Sequence, residues 1–386
     1  MKVIYSTGSV VQYDGHHYYN SAVQATYKRY LTLGDKIVVI CYKEDVETPS
    51  GDKIDEDNIS FVFVNKINTV KKFFSDLRTR NENIVKGEVE NADYCVAHIP
   101  CSHSYKVIKY SKMFNKPCLN IVVGCPWDSM WNYNWKGKLL APIEYYTLKR
   151  IQLNASYSIY VTNKFLQKRY PTKGKSIGCS NVDFSTGLLD VLNNRLLNIE
   201  NRLRNRRRLI IGTAAAIDVP YKGQEFVIKA LAQLKNEGVY FDYYLIGVGK
   251  SDRLKKIAQK EDVIDQVYFM GALPHKEVTS FYDNIDIYIQ PSKQEGLPRA
   301  TIEAMSRGCL CLGSKVAGIP ELLDSDFLFT KGNSHEIAKL LKTMNFKVIR
   351  EQATVNFDKA KDYDCNLLNK KRDDFISMFK AETQNE

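Results

Sequence analysis

The stretch 290–323 constrains the fold of this chain more than any other part of it, and it reads QPSKQEGLPRATIEAMSRGCLCLGSKVAGIPELL. An apolar strand is predicted to end at Gln290, and a turn carrying Glu295 follows it. Pro298 then lies where a helix can start, because its fixed φ angle suits the first helical turn. That helix is predicted to end before Gly308, a residue type that commonly terminates helices. A second apolar strand follows, so the pattern predicts a strand–loop–helix–strand unit of an α/β protein.

This unit places the N-terminus of a helix at the carboxyl end of a strand. Free backbone N–H groups and the helix dipole both favour an anion there, which is where α/β proteins bind phosphates. Two carboxylates, Glu295 in the loop and Glu303 in the helix, flank the site. Carboxylates do not bind phosphate, but they accept hydrogen bonds from sugar hydroxyls. Amide donors beside two such acceptors therefore suit a nucleotide-sugar.

The same residues carry a family resemblance. Glu295 and Glu303 stand in Glu-x7-Glu spacing, followed by Ala-Met, a helix-ending Gly and Gly-Ile-Pro-Glu. This run resembles the donor-site signature of the retaining GT-B glycosyltransferases of family 4 (group 1). The form EGLPRATIEAMSRGC…GIPEL resembles the branch that builds bacterial surface polysaccharides, and the resemblance extends back to about Leu209. It implies an α/β protein of GT-B fold, with two Rossmann-like doubly wound domains facing a central cleft.

The size and composition of the chain agree with a two-domain globular protein. It has 386 residues, of which 44% are hydrophobic and 26% charged. No apolar run approaches the roughly 20 residues that span a bilayer. The N-terminus, MKVIYSTGSV, lacks the apolar core of a signal peptide, so we expect a cytoplasmic protein. Nine scattered cysteines without a CxxC motif are expected to be reduced.

The chain carries a formal net charge of +11, which favours an acidic partner. Nucleic acid, anionic lipid and phosphorylated substrates are the classes of partner that such a charge attracts. Part of the charge lies in RLRNRRR at 202–208. That segment is interpreted as a solvated basic linker or as a membrane-contact patch, and the second interpretation predicts peripheral contact with the inner face of the cytoplasmic membrane.

Strand and helix patterns alternate along the whole chain and predict parallel sheets. The first half is predicted to open with a strand at 2–6, a loop at 7–15 and a helix at about 18–31. The composition changes sharply at Leu209, where the second domain is expected to start. The predicted parts are an N-terminal acceptor-side domain (1–190), a C-terminal nucleotide-sugar-binding domain (208–360) and a last helix (361–386), which the resemblance implies crosses back to the first domain.

The resemblance assigns donor-site roles to residues of the second half. Lys222, in a Tyr-Lys-Gly turn before a helix, matches the lysine that binds the donor diphosphate. Glu295 matches the carboxylate on the donor sugar, and Glu303 matches the carboxylate on the ribose. The other residues expected at the donor, a UDP- or GDP-sugar bound without a metal or other cofactor, are Gly15, Gly249, Phe269, Gly296, Leu297, Arg299 and Ala300.

Two positions depart from the pattern of the family. The family pairs its diphosphate lysine with an arginine, but the matching position falls in Gly-Thr-Ala at 212–214. We expect Arg253 or Arg299 to take its place. The glycine pair of the first loop is Asp14-Gly15 here, so only Gly15 permits close approach of the backbone.

The acceptor side of the site is less marked in the sequence. His98 lies near the end of a predicted strand, where the family often has a histidine. It is interpreted either as a catalytic residue that touches the acceptor or the leaving sugar, or as a structural histidine. A zinc site made of Cys95, His98, Cys101 and His103 is not predicted, because side chains alternate along a strand and no Cys-x2-Cys pair is present.

All three tryptophans fall in the segment GCPWDSMWNYNWKG at 124–137. Their spacing of four residues places them along one helical face. They are interpreted as a core anchor, as a surface for lipid headgroups or as a platform for acceptor sugars. Trp127, Asp128 and Trp131 are the candidate acceptor residues.

The predicted function is transfer of a sugar, with retention, from a nucleotide-diphosphate-sugar to a saccharide or lipid-linked saccharide. Two alternatives stay open. The GT-B architecture also serves nucleotide-sugar epimerases, which convert a donor without an acceptor. The second alternative is a basic nucleic-acid-binding protein. It is supported by the charge alone, since the sequence has no interleaved aromatic and basic motif for RNA.

Overall fold

The computed structural model describes residues 1–55, 57–66, 77–186, 188–204 and 208–384. The chain divides into two compact units. The first unit comprises 1–126, 142–179 and 369–386, and the second comprises 127–141 and 180–368. The division differs from the sequence-based boundaries in three respects. Residues 127–141, the helix that precedes residue 208 and residues 361–368 all belong to the second unit.

The first unit is built on an eight-stranded sheet of order β4-β3-β1-β5-β6-β7-β8, with β2 paired to β1. All of its pairings are parallel except that of β2. The strands are β1 Lys2–Tyr13, β2 Tyr18–Tyr19, β3 Lys36–Asp45, β4 Ile59–Phe63, β5 Tyr94–Ile99, β6 Cys118–Val122, β7 Tyr157–Tyr160 and β8 Lys175–Gly178.

The second unit is built on a six-stranded parallel sheet of order β11-β10-β9-β12-β13-β14. Its strands are β9 Leu209–Ala214, β10 Phe241–Ile246, β11 Val267–Gly271, β12 Ile287–Gln290, β13 Leu310–Ser314 and β14 Leu328–Phe329. Two parallel α/β units confirm the predicted doubly wound GT-B architecture.

Helices connect the strands of both sheets. Numbered along the chain, those described are α1 Ser21–Thr26, α2 Leu77–Glu90, α3 Ser102–Met113, α4 Pro126–Tyr133, α5 Trp135–Leu153, α6 Phe165–Arg169, α7 Leu189–Arg204, α8 Gln224–Asn236, α9 Asp252–Lys260, α10 His275–Asn284, α11 Arg299–Ser306, α12 Ile319–Leu322, α13 Ser334–Thr343, α14 Phe346–Ala360 and α15 Cys365–Thr383. Within the described ranges, no helix is long and apolar enough to span a bilayer.

The opening of the chain differs from its prediction. Strand β1 continues through the predicted loop at 7–15 as far as Tyr13, because Val10 to Tyr13 pair in parallel with β3 after an irregularity. The predicted helix at 18–31 is divided. Its start pairs as β2, its middle forms the short helix α1, and its end is a 3₁₀ turn, Tyr27–Tyr30.

The last helix, α15, buries its apolar face as the sequence pattern predicts. Phe375 and Phe379 are buried, and the ring of Phe379 lies 5.0 Å from that of Tyr157 and 5.8 Å from that of Tyr94. Residues 369–384 therefore pack within the first unit.

A buried arginine joins several elements of the second unit. Arg195, on α7, is 4% exposed. Its guanidinium donates hydrogen bonds to the carbonyl oxygens of Arg307 (2.9 Å), Ile285 (2.6 Å) and Tyr282. These carbonyls lie at the C-terminal ends of α10 and α11, where the helix dipoles favour a cation. Arg195 thus holds the two helices that lead into and out of β12.

The nine cysteines are free thiols, and six of them are buried. Burial raises the pKa of Cys41 and Cys118 to about 12 and that of Cys309 to about 11. These thiols stay protonated at neutral pH and pack as small apolar side chains.

Candidate active site

A cleft of about 450 Å³ opens in the second unit at the carboxyl ends of β9 and β12. The strand order reverses between these two strands, and α/β sheets bind ligands at such a point. The residues that line the cleft come from the ends of three strands and the four loops that follow β9, β10, β11 and β12, from α10 and from the first turns of α11. They are Ala214, Ala215, Lys222, Ile246, Gly247, Val248, Ala272, Leu273, Val278, Tyr282, Gln290, Glu295, Leu297, Pro298, Arg299, Ala300 and Glu303.

Lys222 and Glu295 meet at one side of the cleft. The ammonium of Lys222 donates to Oε1 of Glu295 at 2.7 Å, and the two side chains are largely buried. The same oxygen accepts from Ser292 Oγ (2.7 Å) and from Gln290 Nε2 (3.1 Å). The amide oxygen of Gln290 in turn accepts from the hydroxyl of Tyr288. This network holds the carboxylate of Glu295 and the ammonium of Lys222 in one orientation.

Glu303 lies on the other side of the cleft, on α11. Its Oε2 accepts a hydrogen bond of 2.9 Å from the hydroxyl of Tyr282, which also lines the cleft. Burial raises the pKa of Tyr282 well above its ordinary value, so the phenol stays neutral and remains a donor. Tyr282 therefore orients one oxygen of Glu303, and the other oxygen remains available to a ligand hydroxyl.

The N-terminus of α11 opens into the same cleft. Pro298 is its N-cap residue and supplies no side-chain hydrogen bond to the first turn. Arg299 and Ala300 form that turn, and both line the cleft. Unpaired amide groups at a helix N-terminus are donors for an anion, and the helix dipole adds to their effect.

Of the two arginines considered as replacements for the missing one, only Arg299 lines the cleft. Its side chain is exposed. Arg253 instead forms an ion pair with Glu225, which also accepts from Lys293 at 3.1 Å. The structure therefore favours Arg299 over Arg253 as the additional cation.

Glycines allow the loops of the cleft to approach one another closely. Gly223, beside Lys222, has a φ angle of 74°, and a Cβ added there would lie 2.0 Å from the carbonyl oxygen of Pro291. A hydrogen bond of 2.7 Å from Lys293 N to Tyr221 O joins the same two loops. Only glycine fits at this contact, which places Lys222 against the loop that carries Glu295.

The contact at Gly223 leads to a testable prediction. Gly223→Ala is expected to displace the loop of Lys222 and to lower the transfer rate by about 100-fold, because small misplacements of reacting groups have effects of that size. Gly238→Ala is the matched control at the other end of α8. Its φ angle is 77°, and an added Cβ there meets no atom within 4 Å. Equal rates for the two variants would show that the close contact does not matter.

The remaining donor-side predictions fall at different places in the second unit. Leu297 lines the cleft, and Gly296 accepts a hydrogen bond of 2.9 Å from the amide of Gly318. Gly249 and Phe269 lie near the cleft but are not among its lining residues. Gly249 turns tightly against Asp218, and Phe269 packs against the core, with the ammonium of Lys255 5.7 Å from its ring.

Gly15 and His98 belong to the first unit. Gly15, with a φ angle of 100°, lies in the turn between β1 and β2, which is closed by the carboxylate of Asp14. His98, at the end of β5, is 9% exposed, and its Nε2 lies 2.8 Å from the hydroxyl of Tyr30. Burial lowers the pKa of His98 to about 3, so its imidazole is neutral at neutral pH. These contacts agree with a structural histidine, and a catalytic role for it stays a prediction.

Of the other members of the sequence cluster around His98, Cys101 and His103 contact each other. Cys95 is buried in β5, while His103 contacts Cys101 and the carbonyl oxygen of Thr7. In the described part of the chain, no three His, Cys, Asp or Glu side chains are grouped to hold a metal ion.

The tryptophan segment forms α4 and the start of α5. The rings of Trp127 and Trp131 stack at 5.3 Å. The carbonyl oxygen of Asp128 accepts from the side chain of Asn132, which also donates to the carbonyl of Lys293 at 3.4 Å. The segment therefore lies against the loop of Glu295, within the second unit.

Four residues of the site were not foreseen from the sequence: Tyr282, Gln290, Ser292 and Tyr288. Three of them support Glu295, and Tyr282 supports Glu303. Gln290 and Ser292 lie within five residues of Glu295, a spacing that makes local hydrogen bonds predictable. Tyr282 has no such local signal, because it reaches Glu303 from another helix.

Comparison with known proteins agrees with this site. Residues 198–345 match the family model described as Glycosyl transferases group 1. Protein CapJ of Staphylococcus aureus is 29% identical over 350 residues, covering 89% of this chain and 85% of that protein. The putative colanic acid biosynthesis glycosyltransferase WcaL of Escherichia coli is 35% identical over 112 residues, covering 27% of this chain and 28% of WcaL.

The fold also matches solved structures. Anabaena Alr3699/HepE, in complex with UDP and glucose, superposes with a TM-score of 0.65 at 17% identity. The match covers 98% of this chain and 99% of that chain. At this level of identity, the likeness supports the fold.

Proposed function

We propose that this protein is a glycosyltransferase that moves a sugar from a nucleotide-diphosphate-sugar to a saccharide or lipid-linked saccharide, because residues 198–345 match the glycosyl transferases group 1 model. The observation that carries the proposal is the cleft at the carboxyl ends of β9 and β12. It combines cations and helix amides, which suit a diphosphate, with two oriented carboxylates, which suit hydroxyl groups.

Each side of the cleft suits one part of the donor. The ammonium of Lys222, the amides at the start of α11 and the side chain of Arg299 together supply donors for the diphosphate. Glu303, oriented by Tyr282, accepts from the ribose hydroxyls, and Glu295 accepts from the donor sugar. The HepE complex with UDP and glucose supports a UDP-sugar as the donor to test first.

The chemistry asked of the protein is stabilisation of the departing diphosphate. As the bond between the anomeric carbon and the diphosphate oxygen breaks, negative charge develops on the leaving group. Preorganised donors aimed at that charge lower the barrier, and in this cleft they are Lys222 and the first amides of α11. The proposed reaction uses no metal ion or other cofactor.

We infer that transfer proceeds with retention. The acceptor hydroxyl attacks the anomeric carbon from the face that the diphosphate leaves, and a leaving-group oxygen takes its proton. A double displacement would instead need a side chain that attacks the anomeric carbon and forms a covalent glycosyl-enzyme intermediate. An NMR assignment of the product anomer decides the point, since an inverted anomer would reject retention.

The acceptor is proposed to be a growing surface polysaccharide or its lipid-linked precursor. The name of WcaL, with its reference to colanic acid biosynthesis, supports this class of acceptor.

Donor binding is predicted to depend on Glu303. UDP-glucose should raise the thermal midpoint of the full chain, because a ligand that binds only the native state stabilises it. Glu303→Gln should weaken that binding by about 10- to 100-fold, since hydrogen bonds to a charged acceptor contribute about 1.5–3 kcal/mol. The same measurement with GDP- and ADP-glucose shows which nucleotide base the protein prefers in its donor.

Glu351→Gln provides the matched control for Glu303→Gln. Glu351 is an exposed glutamate on α14, outside the cleft. Its replacement should leave the dissociation constant of UDP-glucose unchanged. Unchanged binding in Glu303→Gln would remove Glu303 from the ribose site.

A further inference from the structure

An exposed apolar patch lies where α4 meets α5. It consists of Trp131, Tyr133, Trp135, Leu139 and Leu140, all within ten residues of sequence. Tyr133 is 80% exposed, and Trp135 and Leu139 are each 67% exposed. Single exposed apolar side chains are common on protein surfaces. A group of them close together typically marks a site that binds a protein, a membrane or a ligand.

The patch lies on a well-defined elbow between the two helices. The side chain of Asn134 accepts from the amide of Gly137 at 2.8 Å and so closes the turn into α5. A Cβ added at Gly137 would lie 2.2 Å from the carbonyl oxygen of Met130, so the two helices touch at this point. Ala141, one helical turn beyond Gly137, is fully buried. The elbow therefore buries one side and presents the patch on the other.

The charged side chains of the segment that carries the patch are all positive. Lys136 and Lys138 are exposed within it. The sequence has no acidic residue between Asp128 and Glu144, and the chain as a whole carries a net charge of +11. Surfaces that lie in the headgroup region of an anionic bilayer typically combine tryptophan, tyrosine and exposed leucine with lysine.

A depression of about 330 Å³ adjoins the patch. It is lined by Trp131, Asn132, Asn134, Trp135, Lys138 and Lys293. Lys293 precedes Glu295 by two residues, on the loop that enters the donor cleft. Aromatic faces with amide and ammonium groups suit a sugar that carries a phosphate.

We propose that the exposed apolar patch docks this protein on an anionic lipid surface, where the depression takes the polar head of a lipid-linked acceptor. The inference rests on the proposed function, and it selects the lipid-linked acceptor over a free saccharide. Tyr133, Leu139 and Leu140 enter the headgroup region, and Lys136 pairs with lipid phosphates. The occupant is a membrane rather than a protein, because the patch combines apolar and cationic side chains without an acidic residue.

The test is sedimentation of the full chain with vesicles. Vesicles that contain phosphatidylglycerol should carry the protein down, and vesicles of phosphatidylcholine alone should carry far less. Tyr133→Glu with Leu139→Glu should lower the partition coefficient at least tenfold, because both side chains are exposed and neither lines the depression. Lys136→Glu should lower it roughly tenfold through the loss of one positive charge and the gain of a negative one.

Leu367→Glu is the matched control, since Leu367 is an exposed leucine of the second unit outside the patch. It should bind vesicles like the unchanged chain. Equal binding by all variants would overturn the proposal, as would a concentration-dependent dimer lost only in the Tyr133/Leu139 variant, which would make the patch a protein interface. Thermal shifts with UDP-glucose, measured in parallel, separate this outcome from failure of the proposed function, because they report the donor cleft alone.

Discussion

Replacement of Lys222 by alanine is expected to lower kcat by about 100- to 1,000-fold, the usual effect of removing one preorganised donor from a developing negative charge. The ammonium of Lys222 is held at 2.7 Å from Glu295, in a cleft whose other donors are helix amides. The binding of UDP-glucose should change much less than kcat, because the charge on the leaving group develops in the transition state. Single-turnover rates with saturating donor measure the effect directly.

Two further variants sharpen the result for Lys222. Glu295→Gln should also lower kcat, and the double variant should be less impaired than the product of the two single effects, because the residues act as a pair. Lys235→Ala is the control, since Lys235 forms an ion pair of 2.9 Å with the exposed Asp262 and does not line the cleft. A Lys222→Ala enzyme with unchanged kcat would remove Lys222 from the reaction.

Arg195→Met should lower the free energy of unfolding by about 3–5 kcal/mol, because it removes the buried guanidinium that donates to three carbonyl oxygens at the ends of two helices. Those carbonyls end α10 and α11, which flank the strand leading into the donor loop. The loss should appear as a lower midpoint in urea unfolding. The folded molecules of this variant should bind UDP-glucose with unchanged affinity.

Arg350→Met is the control for Arg195→Met. Arg350 forms an exposed ion pair with Glu200 at 3.1 Å, and such pairs contribute about 1 kcal/mol or less. A midpoint for Arg195→Met that matches the one for Arg350→Met would contradict the anchoring role given to the buried guanidinium.

The local geometry of the proposed donor site was largely predictable from the sequence. The strand ends at Gln290 and the next helix starts at Arg299, as the positions of glutamine and proline predict. Gly308 has a φ angle of 66°, as a helix-ending glycine should. The meeting of Lys222 with Glu295 then follows from parallel strands, whose carboxyl ends share one edge of the sheet.

What the sequence did not reveal depends on partners distant in the chain. Strand β1 continues beyond Ser6 only because β3 offers it a second register of pairing. Arg195 stands in a helix between polar and apolar residues, a position that alone predicts solvent exposure. It is buried because the C-terminal ends of two other helices lie beside it, and the local sequence pattern does not predict this tertiary contact. Of the basic segment at 202–208, residues 205–207 lie outside the described residues.

The division of the chain has a consequence for protein engineering. Residues 127–141 are encoded in the first half but belong to the same unit as the donor cleft, where Asn132 reaches the backbone of Lys293. A chimera joined near residue 180 would therefore combine the elbow of one enzyme with the donor loop of another. Chimeras that exchange donor specificity between relatives should be most active when the segment 127–141 and the second half come from the same parent.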